Sequence, residues 1–268
     1  MNPSTTNQST RLRVTEKTEI NLSAAKVWAM LSNFGRAEDW HPAVSKTVIT
    51  EGVNNTAGAV RHLTFMNGAT LDEKIVAYSA EKMQIDYVIT AGEFPVSNYS
   101  TTLSVTAGKD AQSSVVNWVG DFNRAEGGDD TTAINAVTGV YTSGLQALKQ
   151  IADERVAIEK TIAYYTEGGT EGDAAKVAKA FHPTATMKFI KEGAMVDEPI
   201  AVYFEKYIAA GVKQNRQTYI DAIDIKGSAA SARLTLDYPT HQFIDYFNLL
   251  KIDGQWLIVS KIFHRVPK

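Results

Sequence analysis

The residues best placed to do chemistry lie near the end of the chain, around an Asp253-Gly254 pair. Aspartate followed by glycine, flanked by alternating apolar residues, predicts a two-residue type I′ hairpin, because that turn needs positive φ at both central positions. With that loop, Ile252 pairs with Gln255, Leu249 with Ile258, Phe247 with Ser260, Asp245 with Ile262, and Phe243 with His264, while His241 faces Val266. One face then carries Leu249, Phe247, Asp245, Phe243 and His241 against Ile258, Ser260, Ile262 and His264. Asp245 sits diagonal to His264 on a mostly apolar wall. A buried carboxylate beside two imidazoles suits proton transfer, since burial raises the carboxylate pKa and histidine titrates near neutrality. The alternative is a structural Asp245 that accepts hydrogen bonds and fixes the sheet.

A second constellation surrounds Asn67-Gly68. Read as the same two-residue loop, it pairs Met66 with Ala69 and His62 with Glu73, on a face shared with Val60, Thr64, Leu71 and Ile75. His62 and Glu73 are then either an acid/base pair on a cavity wall or a cross-strand ion pair on its rim. Trp40, Tyr87 and Trp118 are candidates to line a pocket, with plain core packing as the alternative. Arg61 could hold a carboxylate through its guanidinium fork, or be a solvated strand residue. Tyr165 could point inward as a donor, and His182, before Pro183, could reach the mouth of a pocket or cap a helix.

Other chemistries lack their residues. There is no cysteine among the 268 residues, which removes disulfides, thiolate metal sites and cysteine nucleophiles. No two histidines stand at helical metal-ligand spacing, and no Gly-rich phosphate loop or Gly-x-Ser-x-Gly elbow is present. No metal and no cofactor are expected. A formal charge of −3 and a pI near 6.0 argue against nucleic-acid binding. No apolar run reaches the ~20 residues that span a bilayer. Residues 1–10 are polar and lack the apolar core of a secretory signal, so they read as a short disordered lead-in to a cytoplasmic protein, or as the stub of a mature one.

The elements that must position these groups follow from periodicity. Residues 14–21 predict a strand, and Ser23 caps a helix over 24–31. Six strands are expected over 46–50, 59–66, 70–78, 83–90, 98–106 and 113–122. Ile134, Val137, Val140, Tyr141, Leu145 and Leu148 recur at threes and fours, giving a helix over 132–150 with one buried stripe. A second unit begins near residue 153, with helices over 156–166, 174–181 and 200–212, a Gly-rich turn over 167–173, and strands over 219–226, 230–238, 242–252 and 255–265. Two α+β domains are expected, 11–150 and 151–268.

The first domain resembles the helix-grip fold of the START-like SRPBCC superfamily, in its polyketide cyclase/dehydrase branch. The residues that carry this are Val27-Trp28, Trp40-His41-Pro42, Gly58-Ala59-Val60-Arg61, Gly68 with Glu73, Pro95 to Tyr99, Trp118 and the closing helix. The resemblance implies a curved sheet wrapped on a long helix around an apolar ligand cavity. It also favours a pocket role for Arg61. The second domain resembles the cone-shaped ketosteroid-isomerase-like superfamily, which includes nuclear transport factor 2, SnoaL-type cyclases and a "putative lumazine-binding" group. Its motifs are Tyr164-Tyr165, Gly172-Asp173-Ala174, Phe181-His182-Pro183, Phe243-Ile244-Asp245-Tyr246-Phe247, Asp253-Gly254-Gln255-Trp256 and Val259-Ser260-Lys261-Ile262-Phe263. The three catalytic roles of a ketosteroid isomerase do not map one by one onto this sequence.

Together these readings predict a cofactor-independent enzyme acting by proton transfer on a small hydrophobic, aromatic or polyketide-like molecule. Asp245 is the expected base, with His264 and His241 tuning or relaying the proton. Trp40, Arg61, His62, Glu73, Tyr87, Trp118, Tyr165 and His182 are the expected substrate contacts. Isomerisation, cyclisation, dehydration and elimination all fit. The alternative is a non-catalytic carrier of such a ligand. A homodimer is also expected, because cone folds commonly pair through the convex sheet. Leu257, Val259 and Phe263 would form the contact there, interrupted by Lys261.

Overall fold

A computed structural model describes residues 11–268, and the expected lead-in lies outside these described residues. The chain divides into two compact units, one ending at Asp153 and the other running from Glu154 to Lys268. Each has its own antiparallel-rich sheet, so the fold is mixed α+β.

The first unit runs β1 (Leu12–Ile20), α1 (Ala24–Leu31), a 3-10 turn (Phe34–Asp39), β2 (Val44–Glu51), β3 (Val60–Phe65), β4 (Thr70–Ser79), β5 (Gln84–Gly92), β6 (Val96–Ala107) and β7 (Ser114–Arg124). A long helix, α2 (Asp130–Glu171), follows. The seven strands pair antiparallel in the order β1-β7-β6-β5-β4-β3-β2. Strand β7 alternates buried and half-buried residues along its length, as a strand with one covered face must. Its inward residues Val116, Trp118 and Phe122 meet Ala133, Val137, Tyr141, Leu145 and Leu148 in one core. Gly144 makes this approach possible, because a Cβ there would lie 2.7 Å from the His41 ring and 3.0 Å from Trp118. A glycine inside a helix costs roughly 0.5–1 kcal/mol relative to alanine, so the close packing has to offset that cost.

The hairpin joining β3 and β4 departs from the expected loop. Only Gly68 has positive φ, at 87°. Gly68 N–H donates to the Phe65 carbonyl at 3.0 Å, and Phe65 N–H donates to Ala69 at 2.9 Å. This is a three-residue loop, a turn followed by a left-handed glycine bulge, rather than a type I′ pair. The pairing slips by one residue. Arg61 faces Glu73 and His62 faces Asp72. Because strand side chains alternate, the slip sends His62 and Glu73 to opposite faces.

The second unit takes the last part of α2, then α3 (Ala174–Ala178), β8 (Phe181–Lys191), β9 (Ala194–Pro199), α4 (Ile200–Tyr207), β10 (Gln217–Lys226), β11 (Ala229–Asp237), β12 (His241–Ile252) and β13 (Gln255–Pro267). The sheet order is β10-β11-β12-β13-β8-β9. Strand β8 pairs with β13 in parallel, and the other pairs are antiparallel. Strands β8 and β9 replace the end of the expected 174–181 helix and the loop after it. Residues 151–155 are helical, so the two helices expected over 132–150 and 156–166 are one element of 42 residues, and the Gly-rich stretch 167–173, expected as a turn, continues it through Glu171.

At Asp253-Gly254 the expected type I′ turn forms, with φ of 49° and 80°. Ile252 pairs with Gln255 and Leu249 with Ile258. A β-bulge at Val259 then inserts one residue, and Asn248 faces Ser260. Every β13 residue beyond it changes face relative to a regular ladder. Phe247 faces Lys261, Asp245 faces Phe263, and Ile244 faces His264.

Candidate active site

The bulge decides what Asp245 meets. Lys261 turns inward and Nζ donates to Asp245 Oδ1 at 2.7 Å. From α2, Tyr165 Oη donates to Asp245 Oδ2 at 2.7 Å. Asp245 is 0% exposed and Lys261 3% exposed. A carboxylate can be buried this deeply because both oxygens are hydrogen-bonded and one partner carries the opposite charge. The Lys261 ammonium lies 4.6 Å from the centre of the Phe263 ring, 5.4 Å from Tyr165 and 5.7 Å from Phe247. Aromatic faces attract a cation and partly replace its lost water.

Asp245, Lys261 and Tyr165 open on a cavity of about 250 Å³. Its other walls include Tyr203, Tyr207, Tyr238, Phe189, Phe243, Phe263 and Arg216. Arg216 is held by three donations, from Nη1 to Tyr238 Oη at 2.8 Å, from Nε to Thr170 Oγ1 at 3.0 Å and from Nη2 to the Thr166 carbonyl at 3.0 Å. Burial pushes the Lys261 pKa down, partly offset by Asp245. Burial, then the Asp245 charge, pushes the Tyr165 phenol well up. Tyr203 rises to about 12, again chiefly through burial. The wall therefore presents one carboxylate, two cationic groups and neutral phenols to an apolar space. That set can accept a proton from carbon and stabilise an oxygen anion formed beside it.

The first unit has a cavity of about 40 Å³, lined by Trp40, Arg61, Glu73, Tyr87, Trp118 and twelve further residues. Beside it, at the Asn67-Gly68 hairpin, lies a more open space of about 380 Å³ that shares Phe65, Phe94 and Val140 with it. Arg61 Nε donates to Glu73 Oε2 at 2.7 Å and Nη1 to the Phe34 carbonyl at 3.0 Å. Trp118 Nε1 donates to Tyr87 Oη at 3.1 Å. Thr101 Oγ1 donates to the Val119 carbonyl at 2.7 Å, so the Tyr141 hydroxyl donates to Thr101 at 2.8 Å and accepts from Tyr99 at 2.6 Å. His41 Nε2–H donates to the Val140 carbonyl at 3.1 Å, and Ala43 N–H donates to Nδ1 at 3.3 Å. Both nitrogens are occupied by the backbone, and burial lowers the His41 pKa.

Of the expected residues, Trp40, Arg61, Glu73, Tyr87 and Trp118 share the first cavity, while Asp245 and Tyr165 share the second. The others are elsewhere. His62 forms a half-exposed pair with Asp72, Nδ1 to Oδ1 at 2.6 Å, so the expected His62–Glu73 pair does not form. His264 is exposed and faces Ile244, so it cannot tune Asp245. His241 stacks on Tyr238 at 4.7 Å between ring centres rather than contacting Asp245. His182 Nδ1 bonds Thr184 Oγ1 at 2.8 Å at the start of β8. Lys261, expected on the outer face, is the partner of Asp245, and Phe263 turns inward with it. Sequence reasoning missed Lys261, Arg216, Tyr203 and Tyr238. The signal for Lys261 was a charge breaking an apolar row.

Among the described residues no three His, Asp or Glu side chains converge as a metal site. No helix among them is long and apolar enough to cross a membrane.

A family model described as "Putative lumazine-binding" matches residues 153–264. Aldolase FrzH of Cladobotryum sp is 25% identical over 119 residues, which are 44% of this chain and 95% of FrzH. The solved structure of XoxI from Bacillus cereus is 33% identical with a TM-score of 0.50, over 53% of this chain and 96% of that one. An NTF2-like protein of unknown function from Shewanella baltica is 34% identical with a TM-score of 0.41, over 43% of this chain and 96% of that one. A model described as polyketide cyclase / dehydrase and lipid transport matches residues 11–153, more than half of the 268 residues. The chain therefore belongs to the polyketide cyclase / dehydrase and lipid transport family.

Proposed function

We propose that the protein is a cofactor-independent enzyme that removes a proton from the carbon beside a carbonyl in a small, ring-bearing, largely apolar molecule. The reaction takes place in the cavity of the second unit. The observation that carries this reading is the fully buried Asp245 carboxylate opening, together with Lys261, on an aromatic-walled space of about 250 Å³. Asp245 accepts the carbon-bound proton, and Lys261 and Arg216 stabilise the enolate oxygen. The volume suits one or two rings, below the ~300–1,000 Å³ of sites for drug-sized ligands. Isomerisation, cyclisation, dehydration and elimination can all start from that enolate. So can carbon–carbon bond formation, in keeping with the relative named an aldolase. In the same reading the first unit is a helix-grip domain, with the seven-stranded sheet closed on α2.

The test is proton–deuterium exchange at the α-carbons of 2-tetralone in D2O, followed by proton NMR. The native protein accelerates exchange over buffer, and Asp245→Asn lowers the enzymatic rate by ~10²–10⁴-fold, the usual worth of a general base. No acceleration over buffer across carbonyl compounds of this size refutes the reading.

A further inference from the structure

We propose that Lys261 acts as an amine nucleophile, forming an imine with the carbonyl carbon of the substrate before the α-proton is removed. This rests on the proton-abstraction reading and replaces its enolate by an enamine bonded to Lys261, the carbonyl oxygen leaving as water. The first support is placement. Nζ lines the cavity at the end of a 3% exposed side chain, amid the rings of Phe263, Tyr165 and Phe247. Among the described residues its one hydrogen bond goes to Asp245 Oδ1. The second support is the destination of the ammonium proton. Asp245 Oδ1, 2.7 Å away, can take it without any change in the net charge of the cavity. Burial favours the same transfer by lowering the Lys261 pKa. Tyr165 keeps hold of the other carboxylate oxygen throughout, so the acid stays aimed. The third support is energetic. A buried ion pair gives little net stability compared with apolar residues of the same shape, so packing alone does not account for a lysine here.

The steps balance without an oxidant or reductant. Lys261 passes a proton to Asp245, and the neutral amine adds to the carbonyl carbon, forming the N–C bond. The oxygen takes one proton from the newly bonded nitrogen and one from Asp245, the C–O bond breaks and water leaves, giving an iminium and returning Asp245 to the carboxylate. The iminium withdraws electrons from the α C–H bond, whose proton goes to the Asp245 carboxylate and leaves an enamine. Water reverses the linkage at the end of the cycle. An iminium is a stronger electron sink than the parent ketone, which makes a carboxylate a sufficient base.

Two probes separate this step from the reading beneath it. Benzaldehyde has no α-proton, so it reports the amine alone. 2-Tetralone reports proton abstraction. The native protein is treated with benzaldehyde and sodium cyanoborohydride at neutral pH and digested for peptide mass spectrometry. The expected result is one benzyl group on Lys261, added faster than on the exposed Lys74, because burial lowers the Lys261 pKa and leaves more of its amine free. Lys261→Arg keeps the cation and loses the label, and Lys261→Met serves if the arginine variant does not fold. Labelling at Lys261 no faster than at Lys74, with Asp245-dependent exchange of 2-tetralone intact, overturns the imine and leaves acid/base catalysis standing. Labelling without exchange supports the amine and removes the proton-abstraction reading. Neither labelling nor exchange overturns both.

Discussion

Asp245→Asn should destabilise the second unit by an amount that depends on pH. The variant leaves Lys261 buried at 3% exposure with no counter-charge. Breaking a buried pair by removing one member typically costs 3–5 kcal/mol. Lys261 can limit the cost by releasing its proton. Folding then takes a lysine from its ordinary value of 10.5 in the unfolded chain to a neutral amine in the fold. At pH 7 that release spans 3.5 pH units below 10.5, at roughly 1.4 kcal/mol each, or about 5 kcal/mol. At pH 9 it spans 1.5 units from the same value, or about 2 kcal/mol. The sign follows from proton counts. Between the lowered folded value and 10.5 the unfolded variant binds more protons than the folded one, so stability rises with pH across that window. Urea-dependent hydrogen exchange of the peptides covering β12 and β13 reads this unit separately. The loss against the native protein should be about 3–5 kcal/mol at pH 7 and about 2 kcal/mol at pH 9. Adding Lys261→Met to the Asn variant should restore most of it, because no charge is left buried. A loss below ~1 kcal/mol at pH 7, or one equal at both pH values, would refute the buried-pair argument.

Two further expectations concern titration. Tyr87, Tyr99, Tyr141, Tyr165 and Tyr203 all have phenol pKa values raised by burial above 10.0, so their contribution is complete below pH 10 and is lost as pH rises beyond it. Thermal melts should stay level to about pH 10 and fall above it together with rising tyrosinate absorbance, and Tyr203→Phe should flatten the fall. His41, held neutral by burial and two backbone bonds, has a pKa below 6.5, so the unfolded chain takes up a proton that the fold refuses. The first unit should lose up to ~1.4 kcal/mol per pH unit as pH drops below that value, a slope that His41→Gln removes. A Tm independent of pH on the acid side would contradict it.

Much of the architecture was legible because it rests on local pattern. The apolar stripe from Ile134 to Leu148 predicts the helix that closes the first sheet, and Asp253-Gly254 predicts its turn type. The candidate site was legible to Asp245 and Tyr165 and then lost, for one physical reason repeated at two hairpins. A strand changes face every residue, so a single inserted residue exchanges the wall with the surface. Asn67 keeps a negative φ and only Gly68 turns left-handed, which moves Glu73 from His62 to Arg61. Val259 bulges and brings Lys261 rather than His264 to Asp245. Bulges answer to twist and to packing against distant elements, here the parallel strand β8, whose ladder also breaks between Ile258 and Ser260. Strand β8 itself was hidden by His182-Pro183, which read as a helix stop, and by its pairing with a strand about 75 residues further on, a contact no local pattern encodes.

In the proposed function, chemistry occurs at Asp245 and Lys261 in the second cavity. A crystal structure of the native protein soaked with 2-naphthol, whose planar ring and hydroxyl mimic the enolate of 2-tetralone, tests it most directly. The naphthol should lie among Phe243, Phe263 and Tyr203, with its oxygen within hydrogen-bond distance of Lys261 Nζ or the Arg216 guanidinium and a ring carbon facing Asp245. A naphthol bound beside Arg61 and Glu73, with the second cavity unchanged, would contradict it.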